Sequence, residues 1–316
     1  MKKKAIVVVG ATASGKTALG VHIAKKFNGE VISADSMQIY KGMNIATAKP
    51  TVEEMNGVRH HLIDFLDIHQ QYSVSAYCND ARTAFDGIVG RGKLPVIVGG
   101  TGLYIDSFLS NTKFLDDASS EDVRKELLLE AEEKGSEYLY GLLKEIDPDA
   151  AKNIHSNNTV RIVRALEIYK TTGKTLTVQN EQSRVTESDI EPLYIGINYS
   201  DREKLYERIN LRVDLMIEKG LLKEAEAFFG DNPSKTAVNA IGYKELKPYI
   251  DGDLPLDICV ENLKRETRRY AKRQITWFKR NKNIHWVYPD LMSKDGIFEY
   301  VDNLILNYTE GDVCEE

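Results

Sequence analysis

One stretch, Gly10-Ala11-Thr12-Ala13-Ser14-Gly15-Lys16-Thr17, limits what this chain can become more than any other. It satisfies the phosphate-loop pattern G-x-x-x-x-G-K-[ST]. The apolar run Ala5 to Val9 precedes it and reads as a buried strand. Ala18 to Phe27 follows, with Leu19, Ile23 and Phe27 at a spacing of four, and reads as a helix. Strand, glycine-rich turn and helix in that order aim backbone N–H groups into one concavity, which favours an anion. Lys16 adds a point charge, and the Thr17 hydroxyl can hold Mg²⁺. A ligand carrying a di- or triphosphate is expected here, on Gly10, Thr12, Ala13, Ser14, Gly15, Lys16 and Thr17.

The 316 residues suffice for a main domain and an insertion. No run approaches the roughly 18 apolar residues of a membrane span. The basic start Met1-Lys2-Lys3-Lys4 leads straight into the phosphate loop, so a cleavable signal is not expected. Cys78, Cys259 and Cys314 lie far apart without a C-x-x-C pair, which argues against a zinc module or disulfide framework and for a reduced, cytoplasmic setting. The net charge of −6 argues at first against a nucleic-acid partner. Yet Lys264 to Lys282 holds nine bases and one acid, Glu266, giving +8 there and leaving −14 for the rest. Segregation of that kind is what a polyanion detects.

Along the chain, Glu30 to Asp35 is a short β-rich run ending in a carboxylate. Ligands of open α/β sheets lie beyond the carboxyl ends of the strands, so Asp35 shares a rim with the phosphate loop. Ser36 to Pro50 reads as a site-lining loop and His60 to Phe65 as a strand. The pair His60-His61 invites a metal reading, but neighbours on a strand point to opposite faces. Ser73 or Ser75 caps a helix reaching Gly90, and Leu94 to Val98 is a strand. After it, Gly99-Gly100-Thr101-Gly102 admits two readings: close approach of a ligand to backbone, or a tight turn into the next helix.

From about Lys113 to Pro192 the βα alternation stops. Ser119 is read as a helix cap, Gly135 as that helix's end, and further helices run to Asp147-Pro148 and from Asn157 or Asn158 to Gly173. A polar stretch, Thr175 to Glu191, leads out. The core then resumes with a strand at Leu193 to Asn198 and a helix from Asp201 to Lys219, with Arg208 and Arg212 on one face. A turn at Ala240-Ile241-Gly242-Tyr243, the basic helix from about Leu256 to Arg280 and a strand near Ile284 to Val287 follow. The expected fold is α/β: a P-loop NTPase-like parallel sheet core with helices on both faces (1–112 and 193–316) and an inserted small all-helical domain (113–192). In the basic helix Leu263, Tyr270, Ala271, Ile275, Trp277 and Phe278 share one side, and Arg265, Arg268, Arg269 and Lys272 another. With one acid among nine bases, the charged side lacks partners on its own helix, which favours contact with a phosphate backbone.

A phosphate loop alone does not separate a kinase from an NTP-driven machine. The best apolar strand ends in Gly-Gly-Thr rather than in the acid with which a machine organises Mg²⁺. A small-molecule kinase stays open through Asp35, as does a nucleotide-sensing RNA-binding module.

The residues resemble the tRNA dimethylallyltransferases of bacterial type. The pieces that carry the likeness are Gly10 to Thr17, Asp35-Ser36-Met37-Gln38-Ile39-Tyr40-Lys41-Gly42-Met43, Thr47-Ala48-Lys49-Pro50 and Val98-Gly99-Gly100-Thr101. Arg161 with Arg164-Ala165-Leu166-Glu167, Arg208-Ile209 with Arg212, Ile241 to Glu245 and Ala271 to Phe278 complete them. The likeness implies transfer of a dimethylallyl group from its diphosphate to N6 of the adenine just 3′ of the anticodon. Lys16 and Arg212 would grip the diphosphate with Mg²⁺, a transfer in which ATP need not take part, and Asp35 would serve the amine. It further implies tRNA contacts at Asp35, Ser36, Met37, Gln38, Thr101, Arg124, Val160, Arg161, Arg164, Asn239, Gly242, Tyr243 and Lys244. Arg268, Arg269 and Lys272 join them from the basic helix. A monomer without an obligate protein partner is the corresponding expectation.

Overall fold

In this computed structural model, residues 2–112, 114, 120–183 and 187–310 are described. Contacts divide the chain into two compact units, residues 1–109 with 189–316, and residues 110–188.

The first unit is built on β1 (Lys3–Gly10), β2 (Gly29–Ala34), β3 (His60–His61), β4 (Leu94–Gly99), β5 (Ile190–Ile197) and β6 (Ile284–Val287). They form one parallel sheet in the order β3-β2-β4-β1-β5-β6. Period-two alternation decides which residue faces which layer. Ala5, Val7 and Val9 of β1 pack against α3 (Val74–Gly90, after the one-turn α2, Val52–Met55) and α4 (Gly102–Leu109) through Tyr77, Phe85, Ile105 and Phe108. Ile6 and Val8 face α1 (Lys16–Lys26) through Leu19 and Ile23, and the last helix of the unit through Ile297, Val301 and Ile305. Both faces of β1 are therefore buried, as an unbroken Val/Ile run requires.

The second unit is helical: α5 (Glu121–Lys134), α6 (Ser136–Ile146), α7 (Pro148–Asn153), α8 (Thr159–Thr172) and α9 (Leu176–Ser183). Leu127, Leu139, Leu143, Ile162 and Leu166 form its core. Ser119, the expected cap, lies outside the described residues; Ser120 caps α5, accepting from the Val123 amide at 3.4 Å. Part of the polar exit expected over Thr175 to Glu191 is α9, and β5 starts at Ile190, earlier than read. Back in the first unit follow α10 (Arg202–Glu218), α11 (Leu221–Gly230), α12 (Tyr243–Ile250), α13 (Leu256–Phe278) and α14 (Lys294–Glu310).

One expectation fails for a local reason. The strand His60 to Phe65 shrinks to two residues, because Leu62 and Asp64 take φ of 59° and 56°, which no strand accommodates. Three glycines at the end of β4 and just beyond it are packed closely by protein. A Cβ on Gly99 would meet the Ala34 carbonyl oxygen at 2.1 Å, one on Gly100 the Gln274 amide at 2.0 Å, and one on Gly102 the Trp277 ring at 2.2 Å.

Candidate active site

β1 is central in the sheet, and the turn that follows it sits where the strand order reverses, the usual place for a ligand in such sheets. Gly10 leaves the strand at φ 151°, and a Cβ there would lie 2.4 Å from the Ile197 carbonyl oxygen; Gly15 opens α1 at φ 99°. Ser14 Oγ is buried without a hydrogen-bond partner, an orphan suited to a bound oxyanion. The loop is braced from α13: Gln274 Oε1 accepts from the Thr12 amide (2.9 Å) while its Nε2 donates to the Gly100 carbonyl (3.0 Å).

A cavity of about 570 Å³ opens over this loop, and Thr12 to Thr17, Asp35 and Gln38 line it. Its cations are Lys16, Lys49, Arg208, Arg212 and Lys219, its acids Asp35 and Glu54. That excess of positive charge matches a diphosphate. Lys16 donates to the Ala11 carbonyl (2.6 Å). Burial, aided by the Arg212 guanidinium and opposed by Asp35, pushes it down to about 7, although water still reaches part of the side chain. Burial also lowers Arg212, against the pull of Asp35 and Glu54. Arg208 donates to the Ala13 carbonyl (3.2 Å) over the Tyr199 ring.

Asp35 stands just past β2. Its Oδ1 accepts from the amides of Met37 (2.9 Å) and Gln38 (3.2 Å), and the Thr101 hydroxyl accepts from the Ser36 amide (3.1 Å). A second cavity, of about 260 Å³, lies beyond, lined by Ser36, Met37, Asn239, Gly242, Lys244 and others. The two cavities share Thr12, Asp35, Thr47, Arg212, Met216 and Tyr270, so Asp35 stands where they meet.

Not every predicted residue joins this place. Tyr243 is fully buried, stacked 4.2 Å from Phe228 and donating to Glu224 (2.7 Å), so its side chain cannot touch an RNA. In the helical unit Val160 and Arg161 are exposed, whereas Arg124 and Arg164 both pair with the buried Glu167 carboxylate, at 2.9 and 3.0 Å. The charged side of α13 is less bare than its composition suggested. Arg269 pairs with Glu266 (2.7 Å), Lys264 with Asp214 (2.8 Å), and Arg268 donates to Asn210 (2.5 Å), leaving Lys272 exposed. Cavity residues that residue-level reading did not single out for a role are Lys49, Tyr270, Gln274 and Arg273. Lys49, Arg273 and Gln274 fell inside the family strings, and that was their signal. The two histidines go to structure: His61 bonds Glu30 (2.7 Å) and His60 the Val58 carbonyl (2.9 Å).

Comparison with known proteins decides the lineage. The model of the IPP transferase family matches residues 38–281. The tRNA dimethylallyltransferase of Acetivibrio thermocellus is 50% identical over 92% of this chain and 93% of its own. This chain belongs to the IPP transferase family. Among solved members, the Bacillus halodurans tRNA isopentenylpyrophosphate transferase superposes with a TM-score of 0.74 at 42% identity, covering 98% of each chain. A eukaryotic dimethylallyltransferase acting on tRNA gives a TM-score of 0.80 at 30% identity over 98% of this chain and 80% of its own. Among the described residues no helix is long and apolar enough to cross a membrane.

As for a metal, no group of three or more His, Cys, Asp or Glu among the described residues could hold one alone. That donor set still fits Mg²⁺, which takes one or two protein oxygens and completes its shell with phosphate and water. The Thr17 hydroxyl and the orphaned Ser14 Oγ beside the cationic cavity offer such oxygens.

Proposed function

We propose that this protein transfers the dimethylallyl group of dimethylallyl diphosphate to N6 of the adenine just 3′ of the anticodon of tRNA, releasing diphosphate. The observation that carries the reading is the meeting of two cavities at Asp35, one over a cationic phosphate loop and one open to a base. The names of the relatives point the same way.

In the transfer the N6 lone pair forms the new N–C1 bond as the C1–O bond breaks, its electron pair leaving on the diphosphate. Lys16, Arg212 and the loop amides are fixed in advance around the oxygens where that charge collects. Mg²⁺ held through Thr17 supplies further charge neutralisation when bound. Asp35, its Oδ1 held by two amides, receives or orients the proton that N6 sheds. An anticodon-loop adenine must leave its stack to enter the second cavity. Ser36 to Gln38, Thr101, Asn239, Gly242 and Lys244 would hold the nucleotide, while Val160, Arg161, Arg124, Arg164, Arg268, Arg269 and Lys272 would hold the RNA backbone. The deciding experiment offers unmodified tRNA, dimethylallyl diphosphate and Mg²⁺ without ATP, and looks by mass for adenosine carrying one dimethylallyl group. Both substrates bound and no mass gain would overturn the reading.

A further inference from the structure

Glu224 lines neither cavity, yet its carboxylate holds a wall of each. It projects from α11 and accepts three consecutive backbone N–H groups, from Asn44 (3.0 Å), Ile45 (2.8 and 3.0 Å) and Ala46 (3.0 Å). Successive amides converging on one anion form a nest, here filled by a side chain of the same chain. The same carboxylate accepts the Tyr243 hydroxyl at 2.7 Å. Burial and the Glu224 charge both hold that hydroxyl protonated, well above the ordinary phenol range.

What hangs on these bonds is the reaction channel. Asn44, Ile45 and Thr47 to Thr51 wall the larger cavity; Thr47 also walls the smaller one, together with Ala46, Gly242 and Lys244. Gly242, next to Tyr243, lies so close to Ala46 that a Cβ there would come within 2.9 Å of the Ala46 Cβ. Gln38, beside the catalytic carboxylate, donates to the Thr47 and Ala48 carbonyls at 3.1 and 3.3 Å. Thus one charge draws the 44–46 loop and, through Tyr243, the start of α12 to a common point.

We propose that Glu224 is a positioning residue that clamps the prenyl-diphosphate wall and the nucleotide wall together, so that the two substrates meet in register at Asp35. The proposal rests on the function given above. No part of Glu224 touches a substrate; it acts through backbone amides and through Tyr243.

The test compares wild type, Glu224→Gln and Tyr243→Phe. The glutamine has the same shape but no charge, and its NH₂ group faces donors. Expected for it is loss of hydrogen-exchange protection confined to residues 44–46 in the free protein. Inorganic diphosphate should bind about tenfold more weakly by calorimetry, and kcat/KM should fall about 10²-fold, the scale of a small misplacement of reacting groups. Tyr243→Phe keeps the nest and cuts only the bridge, so its 44–46 protection should persist while KM rises for tRNA and not for dimethylallyl diphosphate. Wild-type diphosphate affinity and kinetics in Glu224→Gln overturn the proposal. So does loss of activity with protection lost throughout the fold, which is mere unfolding. The exchange and diphosphate arms need no turnover. A wild-type protein that binds diphosphate but never prenylates tRNA sinks the functional reading, and these two arms then decide the clamp alone.

Discussion

Lys16 offers the sharpest quantitative prediction. Burial and the neighbouring Arg212 push its ammonium down to about 7 in the free cavity. A bound diphosphate adds negative charge beyond that of Asp35 and Glu54 and returns it to the fully protonated form. The sign follows: the binding-competent state carries one more proton than the free state above that value. At pH 8, one unit above it, the free side chain is only about one-tenth protonated, so binding should take up about 0.9 proton per site. At pH 7 the uptake falls to about 0.5, and by pH 5.5 it vanishes. Between about 7 and the value in the complex, affinity should drop tenfold per pH unit, about 1.4 kcal/mol each. The assay is calorimetric titration of dimethylallyl diphosphate without tRNA, at pH 8 and fixed Mg²⁺, in buffers of different ionisation enthalpy. The slope of observed heat against buffer enthalpy counts protons. Lys16→Met should abolish the slope. A wild-type slope of zero at pH 8 refutes the argument, because it means that Lys16 is already charged before the anion arrives.

Three further outcomes are expected. Asp35→Ala should cut single-turnover prenylation by roughly 10²–10⁴ with little loss of tRNA affinity, and near-wild-type rates would remove it from the chemistry. Neutralising Arg268, Arg269 and Lys272 together should reduce the steepness of the salt dependence of tRNA binding by about 2 to 3 in the log–log slope, measured by filter binding; an unchanged slope leaves that face merely solvated. Gly102→Ala should destabilise the fold by about 1–3 kcal/mol in urea unfolding, since the new methyl meets the Trp277 ring.

The sequence made some of this plain and hid the rest for identifiable reasons. The phosphate loop and β6 were legible because glycine spacing and short apolar runs are local signals. Asp35 was legible because a strand end with a carboxylate has a defined place in an α/β sheet. β3 was misjudged because nothing in Leu62 or Asp64 announces a left-handed backbone. α14 was passed over although Ile297, Val301 and Ile305 recur every four residues. The glycines after β4 were open to a ligand reading because Gln274 and Trp277, which fill the space, lie more than 170 residues away. For the same reason the partners of the basic helix, Asp214 and Asn210 on α10, were out of view. Contacts between distant segments decided these last two cases, and local backbone conformation decided β3.

The strand order has a last consequence. β4 lies between β1, which ends in the phosphate loop, and β2, which ends beside Asp35. The ends of the strands that carry the phosphate loop and Asp35 are thus two inter-strand steps apart, on the order of 10 Å. That spacing is a ruler graduated in peptide hydrogen bonds, so no side-chain replacement can stretch it. A descendant handling a bulkier isoprenoid would have to carve its extra room from the flanking loops.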